Sequence, residues 1–173
     1  MSFFDIFYVD IEAGKNSNQI YSCGALYKKE NYKGGSIREI LKLYLTDEPK
    51  YICGHNFIEH DKNLLKDTSF NQALNKAKII DTFFLSMLLY PTKLSHKLNK
   101  LYKTEVHIEN NPLGDCVCTK NLLELLVKRF DTFSSTLKIL LTRLLSKREC
   151  FQGFFSYVDI KTREINSYDF FEG

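Results

Sequence analysis

The stretch that decides the fold is FFDIFYVDIEAG, residues 3–14. Its first nine residues are mostly apolar and include aromatic and β-branched side chains, which is typical of a central strand buried on both faces. Side chains alternate between the faces of a strand, so Asp10 and Glu12 project from the same face. A solvated strand face would also accept two acids, but the apolar neighbours argue against it. The pair therefore predicts a site for a hard divalent cation.

The rest of the hydrophobic pattern alternates between strand and helix periodicity. Further strands are predicted at 19–28, 30–33, 50–53 and 77–81, with a strand-like piece at 154–160. Helices are predicted at about 37–46, 59–66, 82–90 and 95–103, from Pro112 onward, and at 132–147. Ser36 and Glu39 have the spacing of a capping box at the first of these helices. This order predicts an α/β fold with a mixed sheet.

The composition suits a globular domain with a substantial core. The chain has 173 residues, 44% of them hydrophobic, and a net charge of +3, which permits a nucleic-acid partner without requiring one. No apolar run reaches the roughly 18 residues of a membrane span, so we expect no membrane association. The odd number of cysteines predicts buried, reduced thiols and a cytoplasmic location. We predict a globular domain over 1–148 and an aromatic tail or linker over 149–173.

Two further acids lie at the beginnings of predicted helices. The segment GHNFIEHDKNLL, residues 54–65, follows a strand and places Asp61 in the first turn of a helix. The segment NNPLGDCVCTKNLLELL, residues 110–126, does the same for Asp115. Each acid alone would be unremarkable there, because the helix dipole favours a negative charge in the first turn.

In this order the three acidic segments resemble the three motifs of the DEDD exonuclease superfamily, which has a ribonuclease-H-like fold. KIIDTFFLSMLLYP, residues 78–91, also resembles the segment that these enzymes carry between the second and third motifs. The resemblance implies a mixed sheet flanked by helices, and a 3′–5′ exonuclease that hydrolyses phosphodiester bonds of single-stranded nucleic acid, with DNA favoured over RNA. It also implies that two Mg²⁺ or Mn²⁺ ions are held by four catalytic carboxylates, those of Asp10, Glu12, Asp61 and Asp115.

The sequence departs from the family pattern at the general base. The family places a His five residues, or a Tyr four residues, before the last Asp, and this chain has Asn110 and Asn111 there. Three alternatives are open. His107 could reach in from a rearranged loop, His96 could come from the preceding helix, or the proton could pass to solvent. The last alternative would give a slow enzyme or a binding module, and we slightly favour His107.

Lysines recur every three to four residues in KLSHKLNKLYK, residues 93–103. On a helix they would form one basic stripe, which suits the phosphates of single-stranded nucleic acid as well as it suits a solvated face. We predict four substrate-binding residues: Lys97 from this segment, and His55, Asn56 and Asn110 from the acidic segments.

A narrower resemblance involves the segments ICGHNFIEHDKNLL, IIDTFFLSMLLYP and NNPLGDC. Together they are similar to the exonuclease-type domain at the N-terminus of certain large bacterial RecQ-like helicases. This similarity implies a helicase domain or a protein partner reached through the C-terminal tail.

Overall fold

The computed structural model describes residues 5–14, 19–99 and 111–168, with side chains described as far as Asp159. Over these residues the chain forms a five-stranded sheet with the strand order β3-β2-β1-β4-β5. The strands are β1 (Ile6–Ala13), β2 (Ile20–Tyr27), β3 (Glu30–Gly34), β4 (Tyr51–Gly54) and β5 (Lys78–Asp81). The helices are α1 (Ile37–Asp47), α2 (Asp61–Leu65), α3 (Asn71–Leu74), α4 (Thr82–Leu89), α5 (Pro112–Asp131), α6 (Ser135–Leu145) and α7 (Glu149–Tyr168).

Strand β1 is the centre of the sheet, as its sequence predicts. It pairs antiparallel with β2 and parallel with β4, and β4 pairs parallel with β5. The sheet is therefore mixed. Its alternating side chains enter two separate cores, with Ile6 and Tyr8 on one face and Phe7, Val9 and Ile11 on the other.

Helices cover both faces of the sheet. Apolar side chains of α4, α5 and α7 fill the core on the Tyr8 face, while α1, α2 and α3 fill the core on the Phe7 face. Asp10 and Glu12 follow Tyr8 at even positions of β1, so they project toward α5. This placement brings the first acidic segment toward the third.

Two glycines allow helices to pack directly on strands. A Cβ on Gly24 of β2 would lie 2.4 Å from backbone atoms of Pro112 and Leu113, in the first turn of α5. A Cβ on Gly153 of α7 would lie 1.9 Å from the carbonyl oxygen of Ile79 on β5. No other residue fits at such distances, so these glycines set where α5 and α7 lie against the sheet.

The sequence interpretation was wrong for the strand-like piece expected at 154–160. These residues are part of helix α7. Phe154, Phe155, Tyr157 and Val158 are buried in the core with α4 and α5. Their spacing places them on one helix face, although the β-prone composition favoured a strand.

The helix predicted at 95–103 is absent over its described part, residues 95–99. The Ser95 hydroxyl accepts a hydrogen bond from the Lys97 amide at 3.4 Å. Such a local bond competes with helical bonding at this position. The capping box at Ser36 is also absent, since its side chain makes no capping hydrogen bond to α1.

The described cysteines are all free thiols, and four of the five are buried, as predicted. Among the described residues, no helix has the length and apolar character needed to cross a membrane.

Candidate metal centre

Three of the predicted carboxylates converge at the end of β1. One oxygen from each of Asp10, Glu12 and Asp115 lies within 4.8 Å of the other two. Strand β1 supplies the first two, and the first turn of α5 supplies Asp115, which is only 1% exposed. The amide of Asp115 donates to the Asn111 carbonyl at 2.9 Å, which fixes the start of the helix that presents the carboxylate.

Asp61, the fourth predicted carboxylate, lies beside this cluster but is held by the backbone. Its Oδ1 accepts a hydrogen bond from the Ile11 amide at 2.9 Å, so α2 is tied to β1 between Asp10 and Glu12. Burial raises the pKa of Asp61 to about 6, while interactions with His60 and the Ile11 amide act in the opposite direction. A buried carboxylate with a raised pKa is typical of a functional site.

The four acids line a groove of about 510 Å³. The structure brings the predicted His55, Asn56 and Lys97 to this groove. His60, Phe83 and Leu98 also line it and were not predicted from the sequence. His60 had a usable signal, since it precedes Asp61 in the second acidic segment. His107 and Asn110 lie outside the described residues.

The loop after β4 is organised by a buried acid, Asp81, at the end of β5. Its Oδ1 accepts hydrogen bonds from the amides of Asn56 at 3.0 Å and Phe83 at 2.9 Å. Its Oδ2 accepts from the Ile58 amide at 3.0 Å. Asn56 has a φ of 61°, a left-handed conformation that asparagine tolerates better than most residues. Burial raises the pKa of Asp81, although these backbone bonds lower it.

Thr82 fixes the orientation of His55. The Thr82 hydroxyl donates to the Gly54 carbonyl at 3.1 Å, so its oxygen accepts from Nδ1 of His55 at 2.9 Å. A hydroxyl has one proton, and this arrangement therefore places a proton on Nδ1 of His55. In the neutral ring, Nε2 is then the acceptor nitrogen.

An aromatic wall borders the groove around Phe83. Its ring packs edge-on against His55, with centroids 5.6 Å apart, and against His96, with centroids 6.4 Å apart. Nδ1 of His96 is within hydrogen-bonding distance of the Ser86 hydroxyl, at 2.8 Å. His96 is not among the described residues that line the groove, but its ring lies against Phe83, which does line it.

The donor set fits a hard divalent cation. Three carboxylate oxygens close together at a partly buried site repel one another, and Mg²⁺ or Mn²⁺ prefers such oxygen ligands. The neighbouring Cys116 is not a competing ligand. Burial, together with the nearby carboxylates, raises the pKa of its thiol well above the usual value, and its Sγ donates to the Gly24 carbonyl at 3.4 Å. The available ligand atoms therefore favour a hard ion such as Mg²⁺ or Mn²⁺ over a softer metal that would be bound by a thiolate.

No protein-family model matches the chain, and no curated protein matches it. Among solved structures, the chain is similar to NrnC of Brucella melitensis, with a TM-score of 0.59 and 12% sequence identity. The match covers 92% of this chain and 86% of that chain. At this identity the likeness shows the fold alone, and it confirms the predicted ribonuclease-H-like α/β fold.

Proposed function

We propose that the chain is a metal-dependent exonuclease that hydrolyses phosphodiester bonds of single-stranded nucleic acid from the 3′ end. The observation that supports this proposal is the convergence of Asp10, Glu12 and Asp115 within 4.8 Å at a groove. Asp115 is far from the other two acids in sequence, and a cluster of carboxylates at a groove needs a function to offset its electrostatic cost. The polarity of cleavage and the preference for DNA rest on the motif resemblance.

The proposed metal ligands are the four carboxylates, those of Asp10, Glu12, Asp61 and Asp115. Two divalent ions, when bound, would polarise the scissile phosphate and lower the pKa of an attacking water. The chain holds its carboxylates in place beforehand, because Asp61 is bonded to the β1 backbone and Asp115 lies in a buried helical turn. Such fixed ligands lower the reorganisation needed when substrate binds.

The substrate would lie along the groove beside these acids. Lys97 lines the groove and is exposed, so it would neutralise a backbone phosphate without reading sequence. The left-handed turn at Asn56 and the hydrogen bond from His55 to Thr82 hold both side chains at the same groove. We propose that these residues and Asn110 position the terminal nucleotide. His107 stays our proposed general base.

The test is nuclease activity on 3′- and 5′-labelled single-stranded DNA and RNA, with Mn²⁺, Mg²⁺ or EDTA. We expect shortening from the 3′ end that requires metal, and a loss of roughly a thousandfold or more in Asp115→Asn. Asp131→Asn is the matched control, because Asp131 is an exposed acid at the other end of α5. A folded protein that cleaves none of these substrates would contradict the proposal, as would equal activity in both variants.

A second candidate function is a nucleic-acid-binding module with little or no turnover, within a larger helicase or repair assembly. The observation that favours it is the pair Asn110 and Asn111, where the resembling family has its general base. Neither amide accepts a proton as a base does. This function predicts metal-dependent binding of single-stranded DNA without cleavage, and unchanged behaviour in His107→Ala.

A further inference from the structure

Helix α6 lies against the domain by one side only. None of its residues is fully buried, and Leu141 and Leu145 provide its partly buried contacts with the core. Three other leucines face solvent, with exposures of 37% for Leu137, 51% for Leu140 and 62% for Leu144. We call these three residues the leucine stripe. An apolar row of this kind is unusual on a protein surface unless something covers it.

The spacing of the leucine stripe indicates a helical occupant. Its members are three and four residues apart, and each helical residue turns by about 100°, so all three lie on one narrow row. This is the a–d–a spacing with which one helix packs along another. Ile139, at 52% exposure, lies about 100° around the helix from Leu140, so the exposed apolar residues do not form the broad continuous face of a helix that lies on a lipid surface. The narrow row therefore favours a partner helix.

The charge around the leucine stripe indicates an acidic partner. Residues 132–148 contain no Asp or Glu, and their cations are Lys138, Arg143, Lys147 and Arg148. None of these cations forms an ion pair with a carboxylate in the part of the chain that the structure describes. Lys138 instead donates to the carbonyl oxygen of Asp131, at 2.9 Å. Asp159 of α7 lines a pocket with Lys138 and Arg143, so the exposed Lys147 and Arg148 keep the net charge beside the leucine stripe positive.

A second copy of the chain would suit this face poorly. Two α6 helices packed along their leucine stripes would bring Arg143, Lys147 and Arg148 of both copies to the seam, with no acid from 132–148 to relieve them. Like charges that flank a helical seam oppose pairing. We propose that the leucine stripe of α6 binds an acidic amphipathic helix of a partner protein. This inference does not depend on the proposed nuclease activity.

The experiment uses the full chain and a synthetic, fluorescently labelled three-heptad peptide with Leu at a and d and Glu at e and g. We expect saturable binding by fluorescence anisotropy, weakened roughly tenfold or more by Leu140→Gln. Leu125→Gln is the matched control, because Leu125 is an exposed leucine of α5, at 55% exposure. It should bind the peptide as the unaltered chain does. A peptide with Lys in place of Glu should not bind, and circular dichroism should show both variants folded.

Four outcomes would overturn the proposal. The first is no binding of the Glu peptide, and the second is an equal effect of Leu125→Gln and Leu140→Gln. The third is self-association of the chain that Leu140→Gln abolishes, which would assign the leucine stripe to a second copy. The fourth is binding to phosphatidylserine vesicles but not to the peptide, lost in Leu140→Gln, which would assign it to a lipid surface.

Discussion

At neutral pH the ionised carboxylate of Asp61 lowers the stability of the folded state, because the side chain is buried. Burial raises its pKa from the ordinary 3.8 to about 6, so the folded state binds this proton more tightly than the unfolded state does. The resulting stabilisation is fully present below the ordinary pKa and is lost as the pH rises through about 6. The carboxylate of Asp61 also raises the pKa of His60, and a raised histidine pKa changes stability in the same direction with pH.

We therefore expect Asp61→Asn to be more stable than the unaltered chain at pH 7 in EDTA, by on the order of 1–3 kcal/mol. The asparagine oxygen can still accept the hydrogen bond from the Ile11 amide. Urea unfolding between pH 4 and pH 7 should show a shallower fall in stability with pH in the variant. Asp67→Asn, at an exposed acid, should keep the original slope. An unchanged slope in Asp61→Asn would contradict this account of the buried charge.

At the residue scale, the sequence predicted the acidic pair of β1 as candidate ligands, because two acids on one face of an apolar strand are costly to bury unless a cation binds them. It also predicted Asp115, from its place in a first helical turn and from the motif resemblance. It missed Phe83, because an aromatic residue in an apolar helix is more often a core residue. Only the fold shows that this ring faces the groove beside His55.

At the element scale, the position of Asp115 depends on how closely the first turn of α5 packs on β2. In Gly24→Ala the new Cβ would lie 2.4 Å from the backbone of Pro112 and Leu113, so the helix must move away from the strand. We expect a loss of roughly 1–3 kcal/mol in stability and weaker Mn²⁺ binding in isothermal titration calorimetry.

Gly153→Ala is the matched comparison for that prediction. Its Cβ would collide with the carbonyl oxygen of Ile79 at 1.9 Å, which displaces α7 from β5. Neither element supplies one of the clustered carboxylates, so the variant should lose stability while its folded fraction keeps its Mn²⁺ affinity. Equal losses of affinity in the two glycine variants would show that general destabilisation, and not the position of α5, controls the site.

The elements that the sequence predicted well have local signals. Pro112 suits a first helical turn and does begin α5, and the apolar run of β1 predicts a central strand. The errors arose where two signals for the same segment disagreed. The aromatic run of α7 has strand-like composition but packs as a helix, and the hydroxyl of Ser95 bonds locally where helical periodicity predicted a helix.

At the scale of the whole molecule, the strand order assembles the site. Asp10 and Glu12 come from the central strand, Asp61 from the helix after β4, and Asp115 from a helix that crosses β1 and β2. The sequence predicted which acids to consider but not their separations, because those depend on the crossover connections and on glycine contacts between distant segments. The resulting cluster stores electrostatic repulsion in the metal-free fold.

Divalent metal should therefore stabilise the whole fold. At a free concentration about a hundredfold above the dissociation constant, Mn²⁺ should add roughly 2.7 kcal/mol, because it binds the folded state selectively. For a chain of this length that corresponds to a rise of about 5–10 °C in the melting temperature, reversed by EDTA. Asp10→Asn should melt higher than the unaltered chain in EDTA and should lose most of the Mn²⁺ shift, whereas Asp67→Asn should keep it. If Mn²⁺ shifts the melting temperature of Asp10→Asn as much as that of the unaltered chain, the ion binds elsewhere and the carboxylate cluster is not its site.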